Sequence, residues 1–166
     1  VSLADRPAIV DHRGRVGDWE GDLVVGRGQR GFVATHVDRR SRFLLAAKVS
    51  RRTAAEVTTV TRKLLQPLPQ QVRRTLTVDN GSEWMAFRRL QRTLGLQVYF
   101  AAPYAAWERG TNENTNGLLR QFFPKGTQFQ QVTRAEIKRV QAMLNDRPRK
   151  ILNWHSPAHA FHHLLH

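Results

Sequence analysis

The chain has 166 residues, 40% of them hydrophobic and 24% charged, which suffices for one ordinary hydrophobic core and excludes wholesale disorder. It has no cysteine, so disulfides, thiolate catalysis and cysteine-based zinc sites within the chain are excluded. Lysine and arginine number 27 against 13 acids, and the net charge of +14 points to a polyanionic partner, nucleic acid before others.

Residues 1–16 are polar and irregular, with Pro7 and Gly14, and read as an N-terminal arm. They lack the apolar centre of an export signal, and no later run approaches the roughly 20 apolar residues that span a bilayer. A cytoplasmic location follows as the expectation. The chain starts without Met and soon enters a strand, so a piece of a longer protein is expected.

Residues 18–25 alternate, with Trp19, Leu23 and Val25 on one strand face and Asp18, Glu20 and Asp22 on the other. Gly26 to Gly31 is a hairpin connection; it lacks the ending of a phosphate-binding loop and joins two strands. Residues 32–38 and 43–49 form the next strands, joined by a turn at Arg39–Arg42, and the short connections imply an antiparallel meander.

The period then changes. Val57, Val60 and Leu64 recur at helical spacing, Thr53 and Glu56 suit a capping box, and Pro67 and Pro69 end the helix. Residues 74–79 form a fourth strand, Glu83–Leu94 a helix closed by Gly95, and residues 96–100 a fifth strand. Three strands, helix, strand, helix, strand is the order of an α/β, RNase H-like fold, a mixed sheet with three antiparallel strands followed by two parallel ones. Thr111 or Asn112 is placed to cap a helix reaching about Phe122, and Thr133 one over 134–145 with Ile137, Val140 and Leu144 inward. Residues 17–145 read as the core and 146–166 as a basic segment with a short helix opened by Ser156-Pro157.

Three acids stand out. Asp22 lies inside an apolar strand, Asp79 at the end of another, and Glu113 in the first turn of a helix. In this strand order the first and fourth strands can be central neighbours, and the loop after the fifth strand would then bring the Glu113 helix past their ends. Converging carboxylates need compensating cations, and hard oxygen donors select Mg²⁺ or Mn²⁺. Two ions about 4 Å apart would activate a nucleophile on one side of a phosphodiester and stabilise the leaving oxygen on the other. Taken singly, each acid has a plainer reading: a turn former at Asp79, a salt bridge at Asp22, a helix-dipole charge at Glu113.

The surrounding sequences add to this. Gly17-Asp18-Trp19-Glu20-Gly21-Asp22, Thr77-Val78-Asp79-Asn80-Gly81-Ser82-Glu83 and Trp107-Glu108-Arg109-Gly110-Thr111-Asn112-Glu113-Asn114 resemble the integrase core of bacterial insertion-sequence transposases, the insertion-sequence-thirty family among them. The likeness covers nearly the whole chain, including Pro124-Lys125-Gly126-Thr127 and Asn145-Asp146-Arg147-Pro148-Arg149-Lys150, and departs from the family pattern at Trp84, Ala102 and His159. It implies a DDE-type DNA transposase of RNase H-like fold, with Asp22, Asp79 and Glu113 as catalytic, metal-holding acids. The implied reaction is 3′-end nicking followed by strand transfer, in which the freed 3′-hydroxyl attacks a target phosphodiester. It further implies helix-turn-helix segments ahead of this core, action on element ends and target DNA near the nucleoid, and at least a dimer. A nuclease without strand transfer and a non-catalytic DNA-binding module are the alternatives.

Arg39, Arg40 and Arg42, and Arg147, Arg149 and Lys150, are the candidate DNA-binding patches, with Trp107, Arg109 and Arg120 near the third acid. Asn80 and Asn116 are candidates for orienting the site, and Glu83 for a helix cap beside it. His159, His162, His163 and His166 have spacings that could gather imidazoles on one helical side, whereas His12 and His36 read as structural.

Overall fold

In the computed structural model, which describes residues 1–103 and 105–165, strand β1 (Asp18–Val25) is sandwiched between two cores. Its alternation explains this: Trp19 and Leu23 enter one core and Val24 the other. Strands β2 (Phe32–Asp38) and β3 (Leu44–Val49) follow as an antiparallel meander. Helix α2 (Ala54–Leu65) leads to β4 (Thr75–Val78), and α3 (Phe87–Leu94) to β5 (Gln97–Phe100). β4 runs parallel to β1 and β5 parallel to β4, so the sheet order is β3-β2-β1-β4-β5 with β1 central. This is the RNase H-like arrangement expected from the element order.

The first core lies between the sheet and α2, α3 and the C-terminal helix α6 (Pro157–Leu165). Phe161 of α6 stacks on Phe43 at 4.5 Å and meets Trp19 at 5.9 Å. On the opposite face, Val24, Val33, Val37 and Leu44 pack against Leu119 of α4 (Gly110–Leu119), Phe123, Phe129, and Ile137, Val140 and Leu144 of α5 (Arg134–Asp146).

Both sheet edges are managed. Asn145 of α5 accepts from the Leu44 N–H at 2.8 Å and donates to its carbonyl at 2.9 Å, while Gln141 accepts from the Ala46 N–H at 2.8 Å. These amides stand where a further strand would pair. At the other edge Ser2 bridges to Phe100 in parallel sense. The short helix α1 (Ala8–Asp11) buries Val10, and Arg6 donates to Thr77 at 3.0 Å and pairs with Asp11.

Three local expectations shift. Thr53 accepts from the Glu56 N–H, but the Glu56 carboxylate takes the N–H groups of Ser50 and Arg51, so that capping box is half formed. Thr133 and Glu136 form the full box. The helix expected from Glu83 starts only at Phe87, after a 3₁₀ turn over Ser82–Trp84, because Glu83 and Trp84 are drawn into the interior. It ends as expected at Gly95, whose φ of 65° a side chain would strain. Thr111 and Asn112, expected as caps, lie buried within α4, which starts at Gly110 and ends at Leu119.

Candidate active site

The parallel ladder between β1 and β4 ends with Glu20 opposite Thr77. Asp22 and Asp79 each lie two residues further on, so both project from one face where the strands part. Each carboxylate is held by its own loop or neighbour. Asp79 accepts from the Gly81 N–H at 2.9 Å, closing an Asx turn. Asp22 accepts from the Leu23 N–H at 2.9 Å and from the Asn116 amide of α4 at 3.0 Å. Arg109 reaches both acids, with guanidinium nitrogens 3.5 Å from Asp22 and 3.9 Å from Asp79. Burial pushes the Asp22 carboxyl up from its usual range; Arg109 opposes this shift and the charge of Asp79 adds to it.

Glu113 sits in the first turn of α4, exposed, and makes no side-chain hydrogen bond or ion pair among the described residues. It stands four residues after Arg109 and three before Asn116, a spacing that shares a helical side. Among the described residues, no three His, Cys, Asp or Glu groups gather closely enough to hold a metal ion. The structure therefore brings two of the three expected acids together around one cation, and leaves the third on the adjoining helix face.

Behind the acids lies a buried framework that the sequence reading passed over. Glu20, fully buried, pairs with Arg39 and accepts from the Asn112 N–H at 2.7 Å, while the Asn112 amide donates to the Glu20 carbonyl at 2.9 Å. The Thr35 hydroxyl donates to Asn116 at 3.0 Å. Asn112 and Asn116, one turn apart, thus bolt α4 to β1 and β2 and aim the Asn116 amide at Asp22. The signal was present: Glu20 shares the strand face of Asp22, and the asparagines are spaced i, i+4.

Glu83 does not cap a helix. It is buried, and one carboxylate oxygen accepts from Arg52 at 2.9 Å while the other has no partner. A Cβ on Gly81 would come within 2.3 Å of that second oxygen, so a larger residue there would displace the Glu83 carboxylate. Arg52 is half-exposed and feels the charges of Asp79 and Asp22, so it borders the site. Asn80 donates to the Ala101 carbonyl at 2.6 Å, tying the β4 loop to the segment after β5.

The basic patches divide. Arg39 and Arg42, expected to face DNA, are buried: Arg39 pairs with Glu20 and donates to the Val10 carbonyl at 3.1 Å, and Arg42 donates to Thr111 at 2.9 Å. Their turn sits where α1, β1 and α4 meet, and the buried acceptors there need donors. Arg40 is exposed, although it donates to the Arg13 carbonyl. Arg120 secures the end of α4 to the Val25 carbonyl at 2.9 Å and lies over Phe129. Arg147 donates to Gln121 and covers Phe122, Arg149 is partly buried, and Lys150 is exposed. The Trp107 side chain and His166 lie outside the described residues. Of the four expected histidines, His159 and His163 stack in line with His155, whereas His162 turns toward Phe43 and Phe161.

Over residues 13–106, which hold Asp22 and Asp79 but stop short of α4, the chain matches the integrase core domain family. It is 45% identical to the transposase for insertion sequence element IS1086 of Cupriavidus metallidurans, over 95% of this chain and 46% of that protein. It is 37% identical to the transposase for insertion sequence element IS4351 of Bacteroides fragilis, over 99% of this chain and 50% of that one. Against transposase InsI for insertion sequence element IS30A of Escherichia coli the identity is 40%, over 93% and 40% respectively. The chain thus spans half or less of the length of these relatives. In fold it is similar to the catalytic core domain of BIV integrase, with a TM-score of 0.69 at 21% identity over 89% of this chain and 94% of that one. A chain of the simian T-cell lymphotropic virus intasome in complex with PP2A regulatory subunit B56 gamma gives 0.71 at 18% identity, over 89% and 55%. With more than half its length matched and the acid pair on the shared sheet, the chain belongs to the integrase core domain family.

Proposed function

We propose that this chain is the catalytic core of an insertion-sequence DNA transposase that nicks the 3′ ends of its element and joins them to target DNA. The observation that carries this reading is the pair Asp22 and Asp79, set at the ends of adjacent parallel strands and facing one guanidinium, Arg109. A site that settles a cation between two fixed carboxylates suits a hard divalent ion. Asp22 and Asp79 would hold Mg²⁺ or Mn²⁺, with Glu113 joining from α4. When bound, a pair of such ions supplies Lewis-acid activation of the attacking and leaving oxygens.

The chain's own residues do the positioning. Asn116 and the Leu23 N–H fix the Asp22 carboxylate, and the Asx turn fixes Asp79, so neither must reorganise during reaction. Arg52, held by Glu83, presents a half-exposed guanidinium to a phosphate at the edge of the site. Lys150 and the open faces of Arg40 and Arg147 supply sequence-independent phosphate contacts. Recognition of the element's ends falls to helix-turn-helix segments outside this chain. Two DNA ends call for at least a dimer, working on the bacterial nucleoid in the cytoplasm. No helix among the described residues is long and apolar enough to cross a membrane. On this reading residues 17–145 are the catalytic unit, with 1–16 as an arm and 146–166 as a basic C-terminal segment.

The protein, in the longer form its relatives have, is incubated with labelled element-end DNA and Mn²⁺ beside Asp22→Asn, Asp79→Asn and Glu113→Gln. Joined products lost in all three variants support the reading. Nicks without joining would make it a nuclease, and binding without either a passive DNA-binding module.

A further inference from the structure

Three hollows on the surface share lining residues in sequence. The first, of about 270 Å³, contains Asp79 and Arg109. It shares Asn80, Ala101, Ala102 and Pro103 with a second hollow of about 960 Å³, which Arg6, Arg13 and Arg39 also line. Asp11 and Glu108 are the acids of that second hollow; Asp11 is paired with Arg6, and Glu108 accepts from the Ala102 N–H. Arg13 also lines the third hollow, of about 700 Å³, so a chain of shared lining residues leads from Asp79 to α6.

The third hollow has an unusual wall. His159 and His163, one turn apart on α6, and His155 just before that helix form a ladder of nearly parallel imidazoles. Successive ring centres are 4.5 and 5.8 Å apart, at 14° and 7° between planes. Facing them are His12 and Arg13 beyond α1, and Arg40 and Arg42 from the β2–β3 turn. The turn before α6 contributes Ile151, Leu152 and Asn153, which carry no charge, and no residue of α5 lines the space although α5 packs on α6. No carboxylate lines it among the described residues; Glu20 acts on Arg42 from behind. Burial, then the like charge of Arg13, pushes Arg42 down to about 10, against the raising effect of Glu20.

We propose that DNA engaged at Asp22 and Asp79 continues along this track and lays its backbone phosphates against Arg13, Arg40 and the His155–His159–His163 ladder. The proposal rests on the transposase reading for its ligand and on the shared lining residues for its path. Phosphates set among imidazoles favour the imidazolium form, so DNA binding through the ladder takes up protons. Affinity then rises on acidification, and the rise belongs to α6 and not to the acids.

The test is fluorescence anisotropy with a labelled duplex and the whole protein, at about pH 7.5 and about pH 6.0 in constant salt. Wild type is expected to gain roughly tenfold in affinity at the lower pH, about 0.7 of a proton taken up on average across that interval. The combined variant His155→Gln, His159→Gln, His163→Gln is expected to lose most of that gain, and Arg40→Gln to weaken binding at both pH values. Because the ladder is exposed, circular dichroism is expected to show the triple variant folded. A pH response surviving in the folded triple variant overturns the ladder while leaving the transposase reading intact. Absence of DNA binding at either pH overturns both.

Discussion

Arg109 lies between Asp22 and Asp79, and if these acids hold a divalent ion as proposed, its guanidinium is both a support and a competitor. Arg109→Gln removes the competing charge. Mn²⁺ is expected to bind that variant roughly threefold to tenfold more tightly, as read by calorimetry without DNA. Unchanged or weaker binding would show that the guanidinium does not contest the ion's position.

Two buried groups elsewhere bear on pH in opposite senses. His36, fully buried with Nε2 against the Thr61 hydroxyl and Nδ1 unpartnered, is pushed by burial down to about 4. Between pH 6.5 and 4 the unfolded chain binds a proton there that the folded chain refuses, so stability is lost as pH falls through that window, by up to ~3 kcal/mol. Asp38 accepts from Gly17 and Ser41, yet burial pushes it up to about 6. Between pH 3.8 and 6 the folded chain holds a proton that the unfolded one has lost, so this contribution falls away as pH rises. The wild-type profile between pH 4 and 6 is therefore a partial cancellation. His36→Leu, followed by urea denaturation across that range, is expected to become more stable toward lower pH. A variant still losing stability on acidification would show that His36 is not the source of the wild-type loss.

At the scale of elements, α4 is the piece that completes the site, and side-chain amides set its position more than apolar burial does. Asn112→Ala strips a donor from the buried Glu20 carbonyl and an acceptor from the Thr35 hydroxyl, while the backbone N–H at 112 still reaches the Glu20 carboxylate. Its expected cost is about 1–3 kcal/mol in urea denaturation, the penalty of a buried carbonyl left without its donor. Asn145→Ala acts on another element. It uncovers the edge of β3 at Leu44, and a loss of about 2 kcal/mol with increased self-association by light scattering is expected. These asparagines are legible as polar residues in a helix, but their roles depend on what stands opposite, and helical periodicity carries no information about that. The β elements were far more legible, because alternation in residues 18–25 and 32–38 and the short links between them are local properties.

Over the whole molecule the C-terminal residues are part of the first core. Phe161→Ala removes a ring stacked on Phe43 and tilted against Trp19 and is expected to cost about 3–5 kcal/mol, measured by thermal or urea unfolding. A loss under 1 kcal/mol would mean that α6 is only loosely docked. The amino-acid sequence by itself determined the sheet order and the meeting of Asp22 with Asp79. Periodicities of 2 and 3.6 define the elements, and crossover helices leave few ways to place a parallel strand beside β1. The tertiary structure alone decided the fate of each ionic group. It buried Arg39, Arg42 and Glu83, set Arg109 between the acids, left Glu113 on an adjoining face, and ranged His155 with His159 and His163 while turning His162 away. A charged side chain looks the same in a sequence whether water or a buried acid will solvate it, and that choice is made by neighbours dozens of residues away.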